Sequence, residues 1–229
     1  MEQVLSLRPD RVAVFGYAHV PWMKKHQNMI DAAALPDARV RFVQARAAGE
    51  RLLRAGFDPI GFDHFARPGD SLARARRDGR LRRNFQGYTA DAPAALLGFG
   101  ASAIGQLPQG YVQNETATGE YERLIGEGSL ATRRGFALDD DDRLRAHAIE
   151  RLMCDFALSF DDLRQQFGGR AEPLIEEAVA VVAADSDGLV RLSEAGLALT
   201  ATGRPFVRTI AARFDAYLRQ GAARYSVAV

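Results

Sequence analysis

The spacing of apolar residues changes along this chain, and each change marks an element. "DRVAVFGYAHVP" is apolar almost without a break from Val12 to Tyr17 and stops at Pro21, the pattern of a buried strand. In "ARVRFVQARAAGERLLRAGF", Val40, Val43, Ala47 and Leu52 or Leu53 recur on one helical face, with Gly56 as the stop. "FDPIGFDHFA" reads as a second short strand. Strand, helix, strand in that order predicts a βαβ unit with parallel pairing. A short helix from Ser71 to Asp78 follows. "ALLGFGASAIGQLPQGYVQN" is strand-like and glycine-rich, with residues small enough to let a ligand or another backbone come close. "TGEYERLIGEG" is a short helix.

The pattern shifts near Leu138. Four aspartates, Asp139 to Asp142, stand before "RLRAHAIERLMCDFALSF", where Leu144, Ala148, Leu152 and Phe156 lie four apart on one helical face. Carboxylates favour a helix N-terminus as caps and by their charge, so they mark a helix start. A calcium loop would alternate ligand and spacer, which these do not. "EPLIEEAVAVVAAD" predicts another helix, then two short strands flank "SEAG", and "RPFVRTIAARFDAYLRQ" closes the chain as a helix. Helices followed by a small hairpin predict a winged-helix-like unit.

Composition adds little except at two points. The 229 residues are enough for a real core, and no apolar run approaches the roughly 20 residues of a membrane span. With one cysteine, Cys154, and no secretory pattern at the N-terminus, the expected compartment is the cytoplasm. Charge is uneven: residues 1–136 hold 19 Lys and Arg against 14 Asp and Glu, residues 137–229 hold 11 against 15. The basic excess gathers in "RPGDSLARARRDGRLRR", Arg67 to Arg83. A solvated helix face and a carboxylate-attracting surface are both open readings of it. The acidic second part argues against a winged-helix nucleic-acid reader.

"RRNFQGYT", Arg82 to Thr89, does not fit a packing strand, since it joins charge, amide, aromatic rings and a glycine. With "VFGYAHVP", "GFDHFARPGD" and "LLGFGASAI" in this order, and with "RRGFALDDDDRLR" and "LTATGRPFVRTIAARFDAYL" further on, it resembles the oxygen-independent coproporphyrinogen III oxidases, radical S-adenosylmethionine enzymes of haem biosynthesis. The resemblance implies an α/β fold: residues 1–137 as later strands and helices of a partial β/α (TIM-like) barrel, and residues 138–229 as a mostly helical, winged-helix-like domain. It implies oxidative decarboxylation of two propionates of coproporphyrinogen III to vinyls, with a [4Fe–4S] cluster and S-adenosylmethionine as cofactors. The C-x-x-x-C-x-x-C that holds the cluster is not in this sequence, so no metal ligand is expected here and the chain reads as the C-terminal portion of the enzyme. Alone it is expected to be inactive and to expose apolar surface or self-associate, whereas the intact enzyme is expected to be a monomer.

By the same resemblance Ala18 and Ile104 contact adenosylmethionine, although residues alone suggest packing for both. Phe85 and Gln86 are expected to face the reaction centre, with the backbone bent at Gly87 so that both can do so. Arg82 and Arg83 would draw propionates in from the rim. His19 and His64 follow strand ends, where barrels do chemistry. A proton donor, a carboxylate ligand and a loop-holding histidine are all open for them, and a pairing of Asp63 with His64 is disfavoured because strand neighbours point to opposite faces. His26 and His147 read as structural. A related haem-binding chaperone is the competing family reading; it carries H-N-x-x-Y-W near this point, where "RNFQGYT" stands instead.

Overall fold

The structure, a computed structural model, describes residues 1–218. The chain begins with α1 (Glu2–Ser6) and β1 (Arg11–Ala13), and after an irregular stretch continues through α2 (Ala38–Arg54), β2 (Asp58–Ile60) and β3 (His64–Ala66). The apolar run after Arg11 is a strand only as far as Ala13, because its partner β3 is itself three residues long. "FDPIGFDHFA" is not one strand but a hairpin, folded back at Gly61, which takes φ +58°. This changes the pairing. β1 and β2 run the same way, but β3 lies between them and pairs antiparallel with both, Val12 opposite Phe65 and Pro59 opposite Phe65 from the other side. The expected parallel pairing is therefore wrong: a short loop let β3 fold into the place a parallel neighbour would have taken.

α2 starts where Asp37 caps the Val40 amide at 2.8 Å. Its buried side is Gly49 and Leu52; of the apolar face read from the sequence, Leu52 is buried, whereas Val40, Val43, Ala47 and the alternative Leu53 are exposed. Gly49 is buried because the Phe65 ring lies across it, leaving no room for a side chain without movement. Next come α3 (Ser71–Arg77), capped by Asp70, then β4 (Arg82–Asn84) and β5 (Gly87–Thr89). β6 (Ile104–Leu107) and β7 (Gly110–Asn114) form a hairpin that β8 (Thr132–Ala137) joins after α4 (Thr118–Gly126). Every residue of β8 is exposed, so it has no alternating pattern and carries no sequence signal.

The second part is α5 (Asp140–Asp155), β9 (Ala157–Ser159), α6 (Phe160–Phe167), α7 (Glu172–Ala183), β10 (Val190–Ser193), β11 (Gly196–Leu199) and α8 (Val207–Ala211). The aspartate run is a helix start. Asp139 accepts from the Asp142 amide at 2.8 Å while Asp142 accepts from the Asp139 amide at 3.0 Å, a reciprocal capping box. The hairpin around "SEAG" forms as expected, and β9 adds a third strand to it. The closing helix is shorter than the pattern suggests: a 3-10 turn, Ala212–Phe214, ends it, and Arg219 and Gln220 lie outside the described residues.

Two apolar clusters organise the chain. The larger gathers Leu144, Ala148 and Leu152 of α5 with Leu158, Leu163, Leu174, Leu197, Val207 and Phe214. The smaller joins Ile60, Ala66, Leu72, Leu81 and Tyr88 with Cys154 of the same α5. Phe62 packs against both. α5 thus serves two cores from one helix, and whatever the first part positions is referenced to it.

Candidate functional site

"RRNFQGYT" is a tight β-hairpin. Arg82 stands opposite Thr89, Arg83 opposite Tyr88 and Asn84 opposite Gly87, which leaves Phe85 and Gln86 alone in the turn. The bend expected at Gly87 (φ +126°) is present, one residue after the turn pair. Asn84 closes the turn by accepting the Gln86 amide at 2.9 Å, the side-chain mimicry that favours asparagine in turns. Both tip residues are exposed. The Phe85 ring meets Tyr111 edge-on, centroids 5.1 Å apart. In the β6–β7 register Tyr111 lies opposite Gln106 and Gln113 opposite Ile104, so Ile104 and Tyr111 project from one face of that sheet. The hairpin tip is therefore laid over the sheet face that carries Ile104.

The hairpin is held from behind by α5. Glu150 accepts from the Arg82 guanidinium at 2.9 Å and from the Arg83 amide at 3.0 Å. Arg151 donates to the Leu81 carbonyl at 2.8 Å, and the Tyr88 hydroxyl donates to the Met153 carbonyl at 2.8 Å. That carbonyl belongs to the last turn of α5, where helical carbonyls lack partners within the helix. Arg82, expected to draw in propionates, is thus paired with Glu150 and holds the hairpin. Most of the basic run is similarly occupied: Arg77 with Asp58, Arg80 with Asp78, Arg74 with the Gly69 carbonyl, and Arg67 with the Ala55 carbonyl. Glu150→Ala is expected to cost about 1–2 kcal/mol, the sum of a part-exposed ion pair and an orphaned amide. Urea denaturation of the purified chain checks it.

Tyr88 is the centre of this arrangement and was not singled out by sequence. Its phenol, pushed up mainly by burial, also receives the Phe62 amide at 3.4 Å, and its ring covers Gly61. His64 meets the ring edge-on at 5.2 Å and the Arg83 guanidinium lies 5.5 Å from its centroid. Asp63 and His64 are paired, contrary to the sequence reading, with Nδ1 2.5 Å from the carboxylate. The alternation argument failed because Asp63 belongs to the turn before β3, not to the strand. The His19 Nδ1 lies 3.3 Å from the Tyr17 hydroxyl, and the two rings are 5.8 Å apart. His147 packs edge-on against Phe167, and burial lowers its pKa.

Ala18 is exposed in the loop after β1 and has no hydrogen bond or ring contact to Phe85, Gln86 or Ile104 among the described residues. The buried Gln27 holds this loop: its Nε2 donates to the Ala18 carbonyl at 3.2 Å and its Oε1 accepts the Val20 amide at 2.6 Å. On the other side, Asn114 donates to the Gly98 and Gly100 carbonyls at 3.0 and 3.1 Å and so fixes the loop leading to Ile104. A Cβ on Gly98 would stand 2.9 Å from the Ile104 backbone, so the small residues of "GFGASA" admit a neighbouring backbone. Gln27 and Asn114 sit in polar stretches with no signal that would have drawn notice.

Cys154, on α5, is almost fully buried and burial pushes its thiol up to about 12. It packs in an apolar cluster and is the single cysteine of the sequence, whereas an iron–sulfur cluster takes several thiolates. No group of three or more His, Cys, Asp and Glu able to hold a metal ion occurs among the described residues, and none of the described helices is long and apolar enough to cross a membrane.

Residues 138–206 match the HemN C-terminal domain. The oxygen-independent coproporphyrinogen III oxidase of Bradyrhizobium diazoefficiens is 52% identical over 225 residues, which cover 98% of this chain and 50% of that protein. The enzyme of the same name from Salmonella typhimurium is 43% identical over 97% of this chain and 49% of its own length. Among solved structures, the Escherichia coli coproporphyrinogen III oxidase HemN, described as a radical SAM enzyme, superposes with a TM-score of 0.87 at 39% identity, over 95% of this chain and 50% of that one. The chain spans about half the length of the curated relatives it matches. By sequence and by fold, this chain resembles the half of an oxygen-independent coproporphyrinogen III oxidase that includes the HemN C-terminal domain.

Proposed function

We propose that this chain forms the substrate-facing half of an oxygen-independent coproporphyrinogen III oxidase. The reaction converts two propionates of coproporphyrinogen III to vinyl groups, each losing CO₂, one hydrogen atom from its β-carbon and one electron. Carried by the relatives' name, this reading rests most on one observation: the Phe85–Gln86 turn lies over the sheet face of Ile104. Adenosylmethionine and a [4Fe–4S] cluster, whose ligands lie outside this chain, supply the hydrogen-atom abstraction. The residues here bind, orient and keep water out. Phe85 offers an exposed ring that walls a reactive centre from solvent. The Gln86 side-chain carboxamide, unlike its backbone amide, has no protein partner among the described residues, so it is available as an uncharged donor and acceptor. Ile104 supplies an apolar contact for the cofactor, and the Gln27-braced loop presents Ala18 to it. We place the reaction in the cytoplasm and, for this chain alone, infer neither cluster nor turnover.

The test is Gln86→Ala and Phe85→Leu in the longer protein, with cluster content, melting and anaerobic turnover measured separately. Both residues are exposed at a turn, so stability is expected to move by no more than about 0.5 kcal/mol. Turnover is expected to fall about tenfold or more. Wild-type turnover in both variants would sink the proposal.

A further inference from the structure

One group beside the hairpin is unaccounted for by this reading. His64 opens β3, and its Nδ1 lies 2.5 Å from Asp63, which fixes the ring and leaves Nε2 as the outward nitrogen. Nε2 points at the hairpin: a Cβ on Gly87, next to Gln86, would lie 3.3 Å from it. Gly87 thereby leaves the space that the imidazole edge faces. No residue among those described hydrogen-bonds Nε2, and the His64 side chain is 22% exposed. Arg83 lies against the same Tyr88 ring; its guanidinium forms no ion pair among the described residues, unlike that of Arg82. Arg83 and His64 thus both lie against one aromatic ring, with the Asp63 carboxylate on the Nδ1 side of the histidine.

Resting on the proposed function, we infer that His64 Nε2 and the Arg83 guanidinium bind one carboxylate of the tetrapyrrole, with Asp63 as the positioning residue behind His64. A histidine whose Nδ1 faces a carboxylate is held in one orientation, and in its imidazolium form it donates from Nε2, which suits a charge-assisted hydrogen bond to an anion. An imidazolium on a carboxylate stabilises its charge and opposes the loss of CO₂. The propionate held here is accordingly one that is retained, and the site orients the macrocycle so that others reach the hairpin tip.

The probes are coproporphyrin III, which carries four carboxylates, and etioporphyrin III, the same ring with an ethyl group in place of each propionate. Their affinities for the longer protein are read by fluorescence titration, beside thermal melting of each variant. Wild type is expected to prefer coproporphyrin. In His64→Gln that affinity falls about tenfold, as for one charged hydrogen bond, while that of etioporphyrin, which has no carboxylate, changes less than about twofold. Asp63→Asn shows a smaller loss in the same direction and provides the reading if His64→Gln does not fold. A purely structural role lowers both porphyrins alike and overturns the inference. Unchanged coproporphyrin binding in folded variants overturns it while leaving the proposed function standing. Failure of wild type to bind coproporphyrin overturns both.

Discussion

Gly61→Ala should lower the stability of this chain by about 3 kcal/mol, although the substitution adds one methyl group. Gly61 sits at φ +58°, a conformation that costs an alanine about 1 kcal/mol. The added carbon would also overlap the Tyr88 hydroxyl and ring, and overpacking of this kind costs about 1–3 kcal/mol. Tyr88 cannot yield freely, because its hydroxyl is bonded to the Met153 carbonyl and its ring lies in the smaller core. The two costs separate in a double-mutant cycle. In a Tyr88→Ala background Gly61→Ala should cost only the backbone share, about 1 kcal/mol, so the coupling reads about 2 kcal/mol. Equal effects in both backgrounds would mean that the ring does not press on the turn.

Leu152→Ala should be at least as damaging. Leu152 is fully buried on α5 among residues of the larger core, and Leu→Ala at such sites costs about 2–5 kcal/mol. Against a total stability of about 5–15 kcal/mol, this is a large share. Its neighbours on the helix, Met153 and Cys154, serve the hairpin and the smaller core, so the loss should not stay in one cluster. Denaturation followed by Tyr fluorescence and by far-ultraviolet circular dichroism should give one coincident transition. Two separated transitions would show that the cores unfold independently.

What was readable in the sequence followed from local chemistry. The Asp139–Asp142 cap, the four-residue spacing of Leu144, Ala148 and Leu152, and the "SEAG" hairpin each depend on near neighbours, and each is present. What failed depended on distant ones. Nothing in "FDPIGFDHFA" shows that Gly61 reverses the chain, so β3 was merged with β2 and the pairing came out parallel. β8 is exposed at every residue and has no pattern to find. The apolar side of α2 was readable as a pattern, but the pattern does not tell that only its Leu52 end is covered while Val40 and Val43 are exposed. At the site, the turn at Phe85–Gln86 was expected from Gly87. The α5 backing of that turn was not, since Glu150 and Met153 lie more than 60 residues away along the chain.

The place of Cys154 has a further use. It is the sole thiol of the chain, it packs in the smaller core, and it follows directly on Leu152 and Met153, which pack in the larger one. With the thiol pushed up to about 12, an alkylating reagent at neutral pH meets almost no thiolate while the helix stays seated. Modification then proceeds only through the fraction of molecules in which the seam has opened. Its rate, set against that of a free thiol, counts this fraction without a label being introduced. The chain therefore carries its own kinetic gauge of how firmly the first part is clamped to α5.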